Sequence, residues 1–358
     1  MATLLKEGQF DDMYRMSHGS FTKLLGMLRP RLQVNENQAK RASKGQDPIG
    51  PELILHCTLR YLAGGSVHDI RVTAGMSRAS FYRCVHRGIK AIVECDQLDF
   101  HFPVTTEELH ATAAGFEELS SHGVLNGCIG ALDGWLCRIR VPSPKETPNV
   151  TAYFSGHYQC YGLNVQAACN AKCKFTFLSI RCPGSAGDSK AFFGTALYDI
   201  IENLPRGLYV VADNAYTLSL KLLVPYCGRA RSDPSKDVFN FYLSQLRIRI
   251  EQAFGMLVMK WRIFKRPLEC KLGFTTKLVQ AAFRLHNFCI DERDTVVPVL
   301  NNFDPDQYHP NYEVYMADDE ENQQGAKKRN LVREAITAQL QSDGRKRPRY
   351  NLDRNKRN

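Results

Sequence analysis

Apolar residues recur at helical spacing through the first third of the chain. Phe21, Leu24, Leu25 and Leu28 predict a helix within 9–33, with Pro30 as an interruption. The polar stretch 35–50, with Gly and Pro, reads as a linker. From Pro51, Leu53, Ile54, Cys57, Leu59, Tyr61 and Leu62 trace one helix up to Gly64-Gly65. Ser66 can cap a short helix reaching Thr73, and Gly75 makes a turn. Ser77 can then cap a longer helix that turns Phe81, Val85, Ile89 and Ile92 inward.

After a helical connector near 105–120, the period changes. CIGALDGWLCRIRVP, from Cys128, has two short apolar runs around Asp133-Gly134 and predicts two strands. Residues 158–169 and 173–182 predict two more, joined by a hairpin turn at Asn170-Ala171-Lys172. Asp188 and Ser189 open a helix to about Asn203. LYVVA at 208–212 is the continuous apolar run of a buried central strand. A helix from Leu218 to Pro225 follows. A long helix over 236–262 carries the stripe Ile250, Phe254, Leu257 and Trp261, and another covers 275–290.

This order predicts an α/β fold: a ribonuclease H-like mixed sheet flanked by helices, preceded by an all-α, helix-turn-helix-like domain. The expected divisions are 1–50 (N-terminal helix and linker), 51–120 (helical domain), 121–295 (sheet domain) and 296–358 (loop and basic tail, only partly ordered).

Composition narrows the class. With 358 residues, 44% hydrophobic and 23% charged, the chain has the make-up of a globular protein of about two domains. No run approaches the roughly 18 apolar residues of a membrane span. The opening MATLLKEGQFDDMYRM has no apolar core followed by a small-residue cleavage site, so no secretory signal is expected. The twelve cysteines form no CxxC pair, and reduced, mostly buried thiols of a nuclear or cytosolic protein are expected.

The net charge of +10 is unevenly placed. Residues 327–358 hold eleven Lys and Arg against three acids, whereas 1–326 hold 36 against 34. The tail GRKRPRYNLDRNKRN reads as a nuclear-import signal or a phosphate-binding arm. Within the nearly neutral body, Arg78, Arg83, Arg87 and Lys90 fall on the second helix of the helix-turn-helix pattern and are candidates for DNA contact. A helical packing unit with a solvated basic face has the same pattern.

Three carboxylates stand out by context. Asp133 interrupts an apolar strand, Asp213 ends another, and Glu251 lies on the long helix four residues after Arg247. Charges inside apolar strands are costly unless paired or metal-bound. Two strand aspartates and a helix glutamate can meet at one sheet end and hold hard divalent cations. Two such ions suit in-line attack on a phosphodiester. Turn-capping aspartates and a solvated glutamate would leave the same trace. There is no GxxxxGK[ST], GxSxG or HExxH, and His286 and Cys289 read as core residues of one helix.

Taken together, GALDG (130–134), CPGSAGDSKAF (182–192), VADNAY (211–216), VPY (224–226), RIRIEQAFGMLVMKWRIF (247–264) and LHNFCI (285–290) resemble the PIF/Harbinger transposases and their domesticated nuclease-like relatives. These belong to the DDE endonuclease superfamily, and the chain looks especially like the branch described as plant transposon proteins. LRYLAGGSVHDIRVTAGMSRASFYRCV (59–85) is similar to their helix-turn-helix region. The resemblance implies a metal-binding triad at Asp133, Asp213 and Glu251. Asp188 matches a further acidic position near the site. Arg247 matches as well, to orient Glu251, contact DNA phosphate, or simply pair with Glu251 at i,i+4.

Trp135 departs from the small polar residue that relatives often carry there, which bears on the mouth of the site. The resemblance further implies Mg²⁺, with Mn²⁺ as the alternative, and hydrolysis at element ends followed by attack of the freed 3′-hydroxyl on target DNA. Expected partners are terminal-repeat and target DNA, a Myb-like DNA-binding protein and a second copy of the chain; the expected location is the nucleus. Lys260, Arg262, Lys265 and Arg266 are candidates to grip DNA beside the cut. A domesticated DNA-binding or scaffold protein without cleavage activity is the competing expectation.

Overall fold

The computed structural model describes residues 2–33, 48–228, 233–294 and 331–347. Most of the linker expected at 35–50, the loop expected at 300–326 and the last eleven residues of the tail lie outside these.

The N-terminal part is helical. After a short helix, Phe10–Tyr14, come α1 (His18–Leu32), α2 (Pro51–Leu62), α3 (Val67–Thr73), α4 (Arg78–Val93) and α5 (Thr106–Glu117). The side chains of Ser66 and Ser77 accept from the backbone N–H groups of Asp69 and Ser80, so both expected caps form. Gly75 has φ +62°, a left-handed turn residue between α3 and α4 that glycine adopts at little cost. The single helix expected over 9–33 is instead two, because Ser17 starts a new one by accepting from Ser20 N–H. Pro30 does not interrupt α1. It sits in the last turn, where its missing N–H removes only one bond before the helix ends.

The remainder is a mixed sheet with helices on both faces. Its strands are β1 (Cys128–Arg138), β2 (Phe154–Ser155), β3 (Cys160–Cys169), β4 (Phe175–Pro183), β5 (Tyr209–Val211) and β6 (Leu222–Leu223). β3 lies antiparallel to β1, β2 and β4, while β5 and β6 continue the sheet in parallel from β1. This arrangement is compatible with a ribonuclease H-like fold. The helices are α6 (Asp188–Phe193), α7 (Ala196–Glu202), α8 (Pro234–Lys260), α9 (Leu272–Asp291) and α10 (Leu331–Ser342).

Several expectations are corrected here. Asp133-Gly134 does not divide two strands; β1 runs through it, paired with β3 from Ala131 to Arg138. The helix expected over 188–203 breaks at Gly194-Thr195. The helix expected from Leu218 is absent. Leu222 and Leu223 pair with Val210 and Val211 as a buried edge strand, and Ser219 Oγ accepts from the N–H groups of Lys221 and Leu222 to turn the chain into it. The tail after Lys327, expected to be partly ordered, is not among these corrections: it includes α10, against which Tyr226 packs, with the Arg333 guanidinium 3.9 Å from the Tyr226 ring centre.

Strand alternation sorts the core onto two faces. Ala131, Val165, Ala167 and Val211 join α8 and α9 in the larger cluster, which continues into α1, α2 and α4. Leu132, Ala168, Val210 and Ala212 face the smaller cluster, with α6, α7 and part of α5. The apolar side of α4 (Phe81, Val85, Ile89 and Ile92) is fully buried in the larger cluster. The N-terminal helices and the sheet therefore share a continuous core. All described cysteines are free and eight are buried, as expected for thiols used as small apolar side chains.

Candidate active site

The register of the two parallel strands brings the strand aspartates together. Ala131 is paired with Val211, and Asp133 and Asp213 each lie two residues further on. They therefore share the face that α8 covers, the helix carrying Glu251. Residues 80 and 38 positions apart in sequence thus converge through one register and one helix packing.

Each carboxylate is partly accessible and held by a local donor. Asp133 Oδ1 accepts from the Gly134 N–H at 2.8 Å, and Asp213 Oδ1 from the Ala215 N–H at 2.9 Å. Glu251 is ion-paired with Arg247, a buried side chain one helical turn earlier. Electrostatics ties the group together. Burial, then the negative charge of Asp213, pushes the Asp133 carboxyl well above the carboxylate range, with Asp188 and Glu251 adding to it and Arg247 opposing. Burial likewise raises Asp213, against the pull of Arg247 and the Ala215 N–H.

Asp188 is held more firmly than its sequence context indicates. Its Oδ1 accepts from Asn164 Nδ2 and Gln166 Nε2, both at 2.9 Å. Gln166 Nε2 also donates to Asn164 Oδ1, and Tyr216 donates to Gln166 Oε1 at 2.6 Å. Asn164, Gln166 and Tyr216 are buried, so this is a preorganised polar network. Gly134 makes room for it, since a Cβ there would lie 2.0 Å from Asp188 Oδ1 and 2.8 Å from Gln166 Nε2. Sequence reasoning missed Asn164, Gln166 and Tyr216. The one available signal was two amides alternating along an otherwise apolar β3. It also missed Tyr158, whose hydroxyl end is partly desolvated and is raised by that and then by Asp188, Asp133 and Asp213.

The donor set is the one a hard divalent cation prefers, oxygen-only and acidic, and the mutual repulsion within it is what such a cation relieves. Among the described residues, however, no group of three or more His, Cys, Asp or Glu stands in metal-ligating geometry. The carboxylates are neighbours whose present partners are N–H groups and Arg247.

Residues 132–287 match the DDE superfamily endonuclease family, a span that includes all four carboxylates. That match assigns residues 132–287, and not the whole chain, to a DDE superfamily endonuclease domain. Outside the domain the likeness continues. The chain is 22% identical over 304 residues to Protein ALP1-like of Arabidopsis thaliana, covering 80% of this chain and 71% of the relative. It is 23% identical over 256 residues to the Rattus norvegicus protein named Putative nuclease HARBI1, 70% of each chain, and 22% identical over 286 residues to its Homo sapiens counterpart, 78% of each. No solved structure matches significantly.

The other sequence-derived candidates are dispersed around the DDE domain. Lys260 Nζ donates to the carbonyls of Arg15 and Asp294, at 2.7 and 2.8 Å, which ties the end of α8 to two distant segments. Arg262, Lys265 and Arg266 are exposed on and just after a single 3₁₀ turn, with the Arg262 stem packed against Gly64. Arg78 is exposed, 5.9 Å from the Tyr82 ring centre, whereas Arg83, Arg87 and Lys90 lie on another side of α4. Trp135, the departure expected to bear on the site mouth, lies on β1 two residues after Asp133 and is half-buried. It packs inward, 5.2 Å from Phe264 and 5.9 Å from Phe254 between ring centres. His286 and Cys289 are fully buried, as core residues should be.

Proposed function

We propose that this protein is a metal-dependent DNA endonuclease of the transposase type, with Asp133, Asp213 and Glu251 as its metal-binding carboxylates and Asp188 as a fourth acid beside them. The observation that carries this reading is the convergence of the two strand aspartates and the α8 glutamate on one sheet face within a DDE endonuclease domain.

Asp133, Asp213 and Glu251 would hold Mg²⁺, or Mn²⁺ in its place, which would supply Lewis acidity to activate water or a 3′-hydroxyl and to stabilise the leaving oxygen. The residues of the chain do the positioning. Asp133 and Asp213 offer oxygens fixed by the β1–β5 register. Asn164 and Gln166 fix one oxygen of Asp188 and leave its other for a ligand. Arg247 neutralises Glu251, so metal loading competes with that ion pair. Strand transfer would use the same carboxylates with the freed 3′-hydroxyl in place of water.

The exposed Arg262, Lys265 and Arg266, with Arg78 on α4, are proposed phosphate contacts, and 51–120 is a proposed helix-turn-helix-like unit. A Myb-like partner, self-association and nuclear location by the basic tail belong to the same proposal.

The test is nicking of duplex DNA carrying the terminal repeats of the element with Mg²⁺, comparing wild type with Asp213→Asn. Cleavage by wild type and only background from the variant is expected. If both bind that DNA and neither cuts it, the protein is a DNA-binding scaffold. Preference for RNA over duplex DNA would reassign the substrate.

A further inference from the structure

A cleft of about 720 Å³ opens between the end of α1, the outer side of α4 and the first turn of α9, and none of the four carboxylates lines it. Five cations do: Arg31, Arg83, Arg87, Lys90 and Lys277, against the single acid Glu94. Three of them come from α4 at i, i+4 and i+7, one helix face, and the other two from elements far away in sequence. The fold has thus gathered like charges, which repel and which surface solvation alone does not require to be together.

Their protein partners do not use them up. Arg83 donates to Ser80 Oγ at 3.0 Å, Arg87 to the Gln33 carbonyl at 2.7 Å, and Arg31 to Asp96 at 3.2 Å, while Lys90 lies 3.8 Å from Glu94. A guanidinium has five N–H donors, so each arginine keeps others for an anion. Gly273 and Phe274, in the first turn of the 20-residue α9, form one wall, and the positive end of the helix dipole adds to the field there. Glu146 accepts from the Leu272 N–H at 3.1 Å and offsets part of that. The floor is flat: His86 stacks on Phe274 with ring centres 3.8 Å apart and planes 24° from parallel. Burial and then the Lys277 charge hold His86 below its ordinary value, which favours the neutral ring.

We infer that this cleft binds the phosphodiester backbone of DNA, as a second contact separate from the carboxylate site. Cations drawn from three elements suit successive phosphates, and the stacked rings beside them suit the sugar face. α4 then acts by lining a phosphate cleft together with α9, and not solely as a helix presented to base edges. Arg31 and Lys277, which have no place in a helix-turn-helix pattern, become part of the site. The inference rests on the reading that the chain acts on DNA, but it concerns binding and not cutting.

The experiment is fluorescence anisotropy of labelled duplex DNA with the full chain in EDTA, so that cleavage plays no part. Lys90→Ala/Lys277→Ala is compared with wild type and with Lys145→Ala/Lys172→Ala, an equal loss of charge at exposed positions outside the cleft. We expect the cleft variant to bind about tenfold or more weakly and its slope of log K against log salt to fall by about 2, one per lost phosphate contact. The control should keep the wild-type slope, and all three should melt alike.

Equal losses in both variants, or no loss in the cleft variant, overturns the inference. So does tight binding of inorganic tripolyphosphate that the cleft variant loses while its DNA binding stays unchanged, which would make the site one for small polyphosphates. A wild type that binds DNA through the cleft but never cuts it would sink the proposed endonuclease activity and leave this inference standing.

Discussion

Gly134 illustrates how much one residue decides at this site. It lies next to Asp133 on β1, and the space where its side chain would stand is filled by the Asp188 carboxylate. That contact lets Asp188 approach the sheet and meet Asn164 and Gln166 from β3. Replacing Gly134 by Ala would displace the Asp188 carboxylate from Asn164 and Gln166, and the nearest atoms it would meet are side-chain and not backbone, so the fold should survive. Gly134→Ala is therefore expected to melt within a few degrees of wild type while nicking falls by about 10–100-fold, the usual cost of disturbing the surroundings of a metal-binding carboxylate. A variant that cuts normally would show that Asp188 has no part in the chemistry. The glycine of GALDG was visible in the sequence. Its reason was not, because the atom it makes room for comes from another element 54 residues later.

At the scale of elements, α2 and α4 make a close helix contact. Gly88 of α4 sits directly against Thr58 of α2, and a Cβ at Gly88 would lie 2.0 Å from Thr58 Oγ1 and 2.9 Å from its Cβ. Thr58 is fully buried and its hydroxyl donates to the Ile54 carbonyl, so it cannot turn aside. Gly88→Ala should force the helices apart and cost about 1–3 kcal/mol, the range for overpacking a close contact. Adding Thr58→Ala should restore part of that loss. Thermal melts of the two single variants and the double give the coupling directly. Additive losses would mean that the two helices are not in contact at this point. Because α4 lines the basic cleft, Gly88→Ala should also weaken DNA binding, and the second substitution should restore it in parallel.

At the scale of the whole molecule, the shared core makes stability sensitive to acid at places remote from the site. His286 is fully buried on α9, its Nε2 bonded to the Cys173 carbonyl at 2.9 Å, and burial holds it down to about 4. In the unfolded chain it titrates near 6.5. The neutral form is the folded form. Stability is therefore fully present above pH 6.5 and is lost as pH falls from there towards 4, by on the order of 3 kcal/mol at 1.36 kcal/mol per unit. His56, hydrogen-bonded to Tyr14 at 2.7 Å and also held to about 4, acts in the same direction. The melting temperature should fall between pH 6.5 and 4, and His286→Phe should flatten that fall while lowering stability at pH 7. An unchanged pH profile in the variant would show that His286 is not the group responsible.

Charge at this scale is local. The body is close to neutral, yet it contains an acidic centre on the sheet and a cationic cleft by α4 and α9. Among the described residues no helix is long and apolar enough to cross a membrane.

Local patterning accounts for much of this protein without any coordinates. Helical and alternating periods set most elements, Ser66 and Ser77 placed two caps, and context singled out Asp133 within an apolar strand, Asp213 at the end of another and Glu251 on the long helix. Those signals are legible because they depend on neighbours within a few residues. Where the outcome hung on pairing with a distant segment, the sequence pointed elsewhere: 222–223 became a strand because β5 offered a parallel edge, and β1 ran through Asp133-Gly134 because β3 pairs with it from Ala131 to Arg138.

The same limit applied to the site and the cleft. The Ala131–Val211 register put the two aspartates side by side, the gap at Gly134 admitted Asp188, and Arg31 and Lys277 joined the basic residues of α4. Each is a contact between residues far apart in the chain, and only packing brings such residues together.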